Sequence, residues 1–141
     1  MNKNLLIIIV TMLTGNVFAL SLGDTLTSNT LKAQTTTTST IKLSTQTASH
    51  TEYTINEASG KTIALVNKQN IVYGFKWSNS SPDITTMLGK FKPEYDLAHA
   101  TPNKFNHRMM RINTPHLMVN QFGLPNSRFQ GSMYAKDLVP N

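Results

Sequence analysis

Residues 71–95 place the strongest constraint on what this chain can fold into. The first seven of them, IVYGFKW, alternate large apolar side chains with smaller or charged ones, which is the period-two pattern of a strand with one buried face. After the polar segment SNSSPD, apolar residues recur at the spacing that lines one side of a helix: Ile84, Met87, Leu88, Phe91 and Tyr95. A strand face and a helix stripe made next to each other can cover each other and form a core. The segment therefore predicts a helix packed on a β-sheet.

The helix is predicted to begin at Ser81-Pro82-Asp83 and to be interrupted further on. Serine caps free N–H groups, proline suits the first helical position, and an aspartate meets the positive end of the helix dipole. Pro93 removes one helical hydrogen bond and crowds the carbonyl of Gly89 four residues earlier. We therefore expect a kinked helix or two short helices.

Further strands are predicted on both sides of this unit. Residues 53–57 and 62–67 precede the aromatic strand with short connections and form an antiparallel meander with it, and residues 117–122 and 128–136 form a C-terminal hairpin. The aromatic face of the third strand is expected to lie on the same side as Tyr53, Ile55, Ile63 and Leu65. The predicted fold class is α+β: an antiparallel sheet of about five strands with one kinked helix packed on one face.

Residues 1–19, MNKNLLIIIVTMLTGNVFA, have the features of a secretory signal peptide. A lone Lys3 precedes an apolar run, and Val17 with Ala19 predicts cleavage after Ala19. The run is shorter than the roughly 20 apolar residues of a membrane-spanning helix. We therefore expect an exported protein, periplasmic or secreted, with no transmembrane segment after cleavage.

The remaining chain is predicted to consist of an arm and one domain. Residues 20–50 are rich in threonine and serine, with the run TTTTST at 35–40, and contain few large side chains. Such a segment buries too little apolar surface to order itself, so a flexible or loosely docked arm is expected. Its best candidate for an edge strand is the pair Ile41 and Leu43. Residues 51–141 are predicted to form a single α+β domain.

The chain is basic and contains no cysteine. Removal of Lys3 from the 13 lysines and arginines leaves 12 basic residues against 7 acidic ones, a net charge of +5. Such charge attracts phosphate-rich lipids and anionic glycans, and it also keeps a protein soluble, whereas no nucleic-acid partner is expected. The absence of cysteine excludes disulfide bonds, a thiol nucleophile and a cysteine zinc site.

The best candidate for a ligand contact is a basic cluster late in the sequence. His107, Arg108 and Arg111 lie close together, His116 follows, and guanidinium groups bind phosphate or carboxylate with a fork of donors. A solvated basic loop is the alternative. Trp77 is a further candidate because its ring could stack on a sugar or lipid, although packing in the core is the usual role of a lone tryptophan beside other aromatic residues.

No catalytic residue, metal or cofactor is predicted. The G-x-S-x-G elbow of hydrolases and the H-E-x-x-H metal motif are both absent. Enzyme activity is therefore not expected. One alternative is a small envelope hydrolase that brings His116 and Asp96 together. Another is a structural or assembly partner for surface polymers that uses the arm as a tether.

Several segments resemble the bacterial family of small exported proteins known as domain of unknown function 2844 (DUF2844). The matching pieces are Leu22-Gly23, YTINE at 53–57, IVYGFKW at 71–77, PDITTMLGKF at 82–91 followed by Tyr95, and RFQGSMYAKDLVP at 128–140. None of them is a catalytic motif. The resemblance implies an exported protein and supplies no activity, ligand or site residue. The signal peptide and the absence of any recognisable catalytic constellation lead us to expect a non-catalytic binding or accessory module of the cell envelope. Its expected partner is an anionic envelope component or another envelope protein.

Overall fold

A computed structural model describes residues 20–27, 40–100 and 108–141. Seven antiparallel strands form one sheet in the order β1-β2-β3-β4-β7-β6-β5. Their bounds are β1 Thr40–Gln46, β2 His50–Glu57, β3 Gly60–Asn67, β4 Val72–Ser80, β5 Met109–Asn113, β6 Leu117–Gly123 and β7 Phe129–Ala135. The predicted α+β class with an antiparallel sheet is confirmed, but the sheet has seven strands instead of five.

The two additional strands are β1 and β5, which form the two edges of the sheet. β1 contains Ile41 and Leu43, the pair that made this segment a candidate edge strand. β5, with the sequence MMRIN, lies in a region without a predicted strand, and within it only Ile112 is fully buried. A five-residue edge strand with an arginine at its centre produces too little alternation to be recognised from its sequence.

The predicted break in the helix is present. Helix α1 spans Ile84–Leu88, a 3₁₀ turn spans Gly89–Phe91, and helix α2 spans Lys92–Ala100. The Asp83 carboxylate caps α1 by accepting hydrogen bonds from the Thr86 backbone N–H at 3.2 Å and from the Thr86 hydroxyl at 2.6 Å. Gly89 has a φ of +52°, a conformation that glycine adopts without steric cost. The break therefore depends on this glycine as well as on Pro93.

The core lies between one face of the sheet and the helices. Phe75 and Trp77 of β4 are packed in one buried cluster with Met87 and Leu88 of α1. The sheet contributes further buried residues from its centre and from the C-terminal hairpin: Ala64, Val66, Leu117, Val119, Met133 and Ala135. We call the face of the sheet that carries these buried residues and packs against the helices the helix side.

A bulge in β4 changes the expected distribution of side chains between the two faces. The register shifts between Leu65, which pairs with Gly74, and Val66, which pairs with Val72, so that Tyr73 is an extra residue in β4. Phe75 and Trp77 remain on the helix side, whereas Tyr73 lies in contact with the ring of His50. The expectation that all the aromatic residues of this strand share one face is therefore wrong for Tyr73.

Tyr53 and Ile55 were expected on the same side of the sheet as Ile63 and Leu65, but the strand register places the two pairs on opposite faces. Tyr53 pairs with Ala64, and Ala64 pairs with Phe75, so these three residues face the helices. Ile63 and Leu65 alternate with Ala64 and therefore lie on the opposite face. The face of residues 62–67 that enters the core is the one that carries Ala64 and Val66.

The segment Leu20–Thr27 is packed against the domain, which corrects the expectation of a flexible arm for this part of residues 20–50. Leu20, Leu22 and Leu26 are all buried in the core. Backbone hydrogen bonds hold the segment in place, from Leu22 N–H to the Met87 carbonyl and from Val72 N–H to the Asp24 carbonyl. Three leucines, at about 1.5–3 kcal/mol each, supply the burial that the threonine-rich composition does not indicate. Residues 28–39 of the predicted arm lie outside the described residues, as does the predicted signal peptide.

Candidate functional site

The described helices and the segment Leu20–Thr27 all pack on the helix side of the sheet. The opposite face carries Ile63, Lys76, Ser132 and Asn120, which are neighbours across β3, β4, β7 and β6. We call it the open face. A groove of about 450 Å³ runs over its centre and is lined by residues that include Lys61, Ile63, Lys76, Phe122, Ser132 and Tyr134. This volume lies within the range of small-molecule sites in proteins.

The centre of the open face is a row of polar and cationic side chains. Lys76 pairs with Ser132, Ser132 with Asn120, and Asn120 with Arg111, so that these four residues follow one another across β4, β7, β6 and β5. The Arg111 guanidinium donates a hydrogen bond from Nε to Asn120 Oδ1 at 3.2 Å. This central row thus has a cation at each end and a hydroxyl and an amide between them.

Apolar and aromatic side chains lie on both sides of the central row. On one side, Leu65, Tyr134 and Met118 lie in one row that crosses Gly74. On the other side, Phe122 pairs with Met109, and both are 45% exposed. The open face therefore has an apolar row on one side of the central row and, on the other side, the apolar pair Phe122 and Met109 next to Gln130.

The Tyr134 ring lies over Gly74, its neighbour on β4, because that residue has no side chain. A Cβ atom added to Gly74 would lie 2.8 Å from Cδ1 and 3.2 Å from Cε1 of the Tyr134 ring. Any other residue at position 74 would therefore push the ring away from the backbone. With one side of the ring against β4, the other side is directed to the groove that Tyr134 lines.

The positive charges in the groove are not neutralised within the described residues. Lys61 pairs with Ser78 and Lys76 with Ile63, so the two lysines are diagonal neighbours on adjacent strands, with Cα atoms roughly 7–8 Å apart. Both are exposed, and no described carboxylate forms an ion pair with either. Glu52 lies in the same row as Leu65, and its Oε1 contacts Nε2 of His50 at 3.2 Å. The centre of the open face is therefore electropositive.

The candidate ligand residues from the sequence do not form one cluster. Arg111 is in the central row of the open face, and Arg108 is an exposed residue that precedes β5. His116 lies in the turn between β5 and β6, where its Nδ1 contacts the Asp137 carboxylate at 2.6 Å. Trp77 is among the residues that line the groove, but it is only 3% exposed and packs in the core, which leaves little of its ring for a ligand. His107 lies outside the described residues.

The structure does not pair His116 with Asp96, as the hydrolase alternative requires. The Asp96 carboxylate is instead paired with Lys92 at 2.5 Å, and the His116 ring with Asp137. No hydroxyl group in the described part of the chain is hydrogen-bonded to the His116 ring, so the pair has no activated nucleophile. Over residues 20–27, 40–100 and 108–141, no three histidine, aspartate or glutamate side chains are placed to hold a metal ion.

The main residues of the groove were not candidates from the sequence. Lys61, Lys76 and Tyr134 belong to strands whose opposite face attracted attention because of its apolar pattern. The sequence feature that could have indicated this face is the alternation in the aromatic strand, where Gly74 and Lys76 occupy the positions between Tyr73, Phe75 and Trp77. A lysine between the buried aromatic residues of one strand indicates that the other face of that strand is exposed to solvent.

The fold and the open face together define a small α+β protein with a single antiparallel sheet that is covered by helices on one side. The chain belongs to the family described as protein of unknown function (DUF2844), whose model matches residues 15–141. The resemblance seen in the sequence is thereby confirmed. Comparison with curated proteins and with solved structures finds no match. None of the helices in the described residues is both long enough and apolar enough to cross a membrane.

Proposed function

We propose that this protein is an exported, non-catalytic binding module of the cell envelope and that the open face binds an anionic envelope component. The observation that carries the proposal is the pair Lys61 and Lys76. Both amines border a groove of about 450 Å³ and have no ion-pair partner among the described residues. An anionic ligand supplies the missing partner.

The composition of the groove supports binding in preference to catalysis. Its side chains donate and accept hydrogen bonds or provide apolar surface, as ligand sites do when a few polar groups set the orientation of a ligand. Lys61, Lys76 and Ser132 form no side-chain hydrogen bond with other described residues. They are available for a ligand without the loss of an existing contact.

The export part of the proposal rests on residues 1–19, whose charge, apolar run and small residues are those of a signal peptide. We expect the protein purified from the periplasm or the culture medium to begin at Leu20. N-terminal sequencing of the fractionated protein checks this. Recovery of the intact chain from the cytoplasm alone would contradict it.

Binding is tested by chromatography of the protein on immobilised heparin, a general polyanion, with two double variants that carry the same net charge. Lys61→Glu with Lys76→Glu reverses both charges of the groove, whereas Lys68→Glu with Lys90→Glu reverses two exposed charges elsewhere. We expect the control variant to elute near the salt concentration of the wild type and the groove variant not to be retained. An equal loss in both variants would show that net charge alone causes retention, and no retention of the wild type would also contradict the proposal.

The folded state of each variant is checked by its urea unfolding midpoint. If the groove variant is destabilised, Lys61→Gln with Lys76→Gln removes the same positive charges without introducing negative ones. This milder variant should still lose most of its retention. Retention equal to that of the wild type would contradict the assignment of the groove.

A further inference from the structure

We infer that the ligand of the open face is a short segment of an anionic polysaccharide that lies across the strands, along the central row. This inference rests on the proposed function and names its ligand class. The ligand would run from Lys76 over Ser132 and Asn120 to Arg111, with sugar rings against Tyr134 and Phe122.

The length and chemistry of the central row fit an oligosaccharide. Neighbouring strands are roughly 4.8 Å apart, so three steps from Lys76 to Arg111 span about 14 Å, which suits about three sugar residues. The two cations at the ends are suited to the acidic groups of separate sugars. Between them, the Ser132 hydroxyl both donates and accepts hydrogen bonds, and the Asn120 amide nitrogen remains a donor while its oxygen accepts from Arg111.

The aromatic residues provide flat apolar surfaces on both sides of this row. The Tyr134 ring lies over Gly74, whose missing side chain leaves room for it, and Phe122 is 45% exposed and lines the groove. Sugars present faces of C–H groups that pack on aromatic rings while their hydroxyl groups point outward to polar partners. The open face offers the same alternation where Tyr134 lies on one side of the central row and the pair Phe122 and Met109 on the other.

The same alternation disfavours a lipid acyl chain. The apolar residues of the open face are divided by the central row, so an acyl chain across the groove would cover Lys76, Ser132 and Asn120. Polar groups buried without partners lose their hydrogen bonds to water, which costs free energy. A sugar chain at the same place replaces the water on these groups with hydroxyl and carboxylate partners. The polar groups of the row thus favour a glycan over an acyl chain.

The experiment is calorimetric titration of the mature chain with galacturonate oligomers of one, three and six sugars. The controls are a neutral galactose trimer and vesicles of phosphatidylglycerol. We expect the acidic trimer to bind at least about tenfold more tightly than the monomer and than the neutral trimer, and the hexamer to gain little more. Vesicles should not bind. Equal affinity for the acidic monomer and trimer would contradict a ligand that spans the row.

Variants separate the role of the ring from that of the charges. Tyr134→Leu keeps an apolar side chain but removes the flat ring, and we expect about a tenfold loss of affinity for the acidic trimer. Tyr134→Phe keeps the ring and should bind as the wild type does. Heparin retention of Tyr134→Leu should fall less than that of Lys61→Glu/Lys76→Glu, because the cations remain. Wild-type affinity of Tyr134→Leu for the trimer would overturn the proposed stacking.

The outcomes distinguish this inference from the proposed function. Retention on heparin and binding of phosphatidylglycerol vesicles, both lost in Lys61→Glu/Lys76→Glu, together with no binding of any galacturonate oligomer, would overturn the sugar-spanning ligand and leave an anion-binding open face. Absence of binding to every probe, including heparin, would overturn both.

Discussion

A Cβ atom added to Gly131 of β7 would lie 2.6 Å from the ring of Trp77 on the neighbouring strand. The Trp77 ring therefore lies over β7 at Gly131, its pairing partner, which has no side chain. This contact fixes the ring in the core, on the helix side of the sheet, and it explains why the chain requires glycine in the C-terminal segment RFQGSMYAKDLVP. The same strand carries Tyr134 on its other face, so β7 connects the core to the groove.

We predict that Gly131→Ala destabilises the protein by about 1–3 kcal/mol, the usual cost of overpacking a core. The added methyl group must displace both the Trp77 ring and the backbone of β6, because the Asn120 carbonyl oxygen lies even closer to it than the ring does. Gly123→Ala is the matched control, since its added atom would meet Arg108 at ordinary distances of 3.6 Å or more. Urea unfolding measures both variants. An equal effect of the two substitutions would refute the role of the Trp77 contact.

We predict that the segment Leu20–Thr27 contributes to the stability of the domain. Leu22 is 2% exposed, and Leu22→Ala should lower the free energy of unfolding by about 2–5 kcal/mol because it leaves a cavity in the core. Leu43, which is 57% exposed on the edge strand β1, is the control, and Leu43→Ala should change stability by no more than about 0.5 kcal/mol. Thermal or urea unfolding compares them. A Leu22→Ala variant as stable as the wild type would mean that the segment is only loosely attached in solution.

We predict a loss of stability at alkaline pH that depends on Tyr73. Burial raises the pKa of the Tyr73 phenol above its ordinary value of 10.0, and the neighbouring Tyr134 and Glu52 raise it further. The phenol therefore ionises more readily in the unfolded chain than in the folded one. Stability should be unaffected by this group below pH 10 and should fall as the pH rises from there toward the folded-state pKa.

The variant Tyr73→Phe removes this titration and should show a smaller decline in stability above pH 10. Unfolding midpoints measured across the alkaline range give the decline, and tyrosinate absorbance of the folded proteins identifies the group that ionises late. An identical decline in the variant and the wild type would assign the alkaline effect to other residues.

The sequence predicts the two main layers of this fold, the sheet and the helices packed on it, because each depends on local periodicity. The aromatic strand and the stripe from Ile84 to Tyr95 each repeat at a characteristic spacing, and Phe75 and Trp77 do share a core with Met87 and Leu88. The position of Tyr73 could not be predicted in this way. A bulge adds one residue to a strand, and its position is set by pairing with β3, which periodicity along β4 does not encode.

The packed segment Leu20–Thr27 and the groove were missed for a related reason. Leu20, Leu22 and Leu26 are separate apolar residues in a polar segment, and their burial depends on a surface that exists only after the sheet and α1 have formed. The groove unites side chains of the hairpin β3-β4 with those of the hairpin β6-β7, and these two hairpins lie far apart in sequence and become neighbours through the pairing of β4 with β7. The prediction of a basic ligand contact selected neighbours in sequence, and of these only Arg111 lies in the central row.

The central claim, that the open face is the binding surface, is tested most directly by chemical labelling of lysines in the folded protein. Acetylation rates of individual lysines are measured by mass spectrometry with and without a saturating heparin fragment. We predict that labelling of Lys61 and Lys76 slows severalfold while that of Lys68 and Lys90 is unchanged. Equal labelling of all four lysines in both conditions, or protection confined to Lys68 and Lys90, would contradict the account.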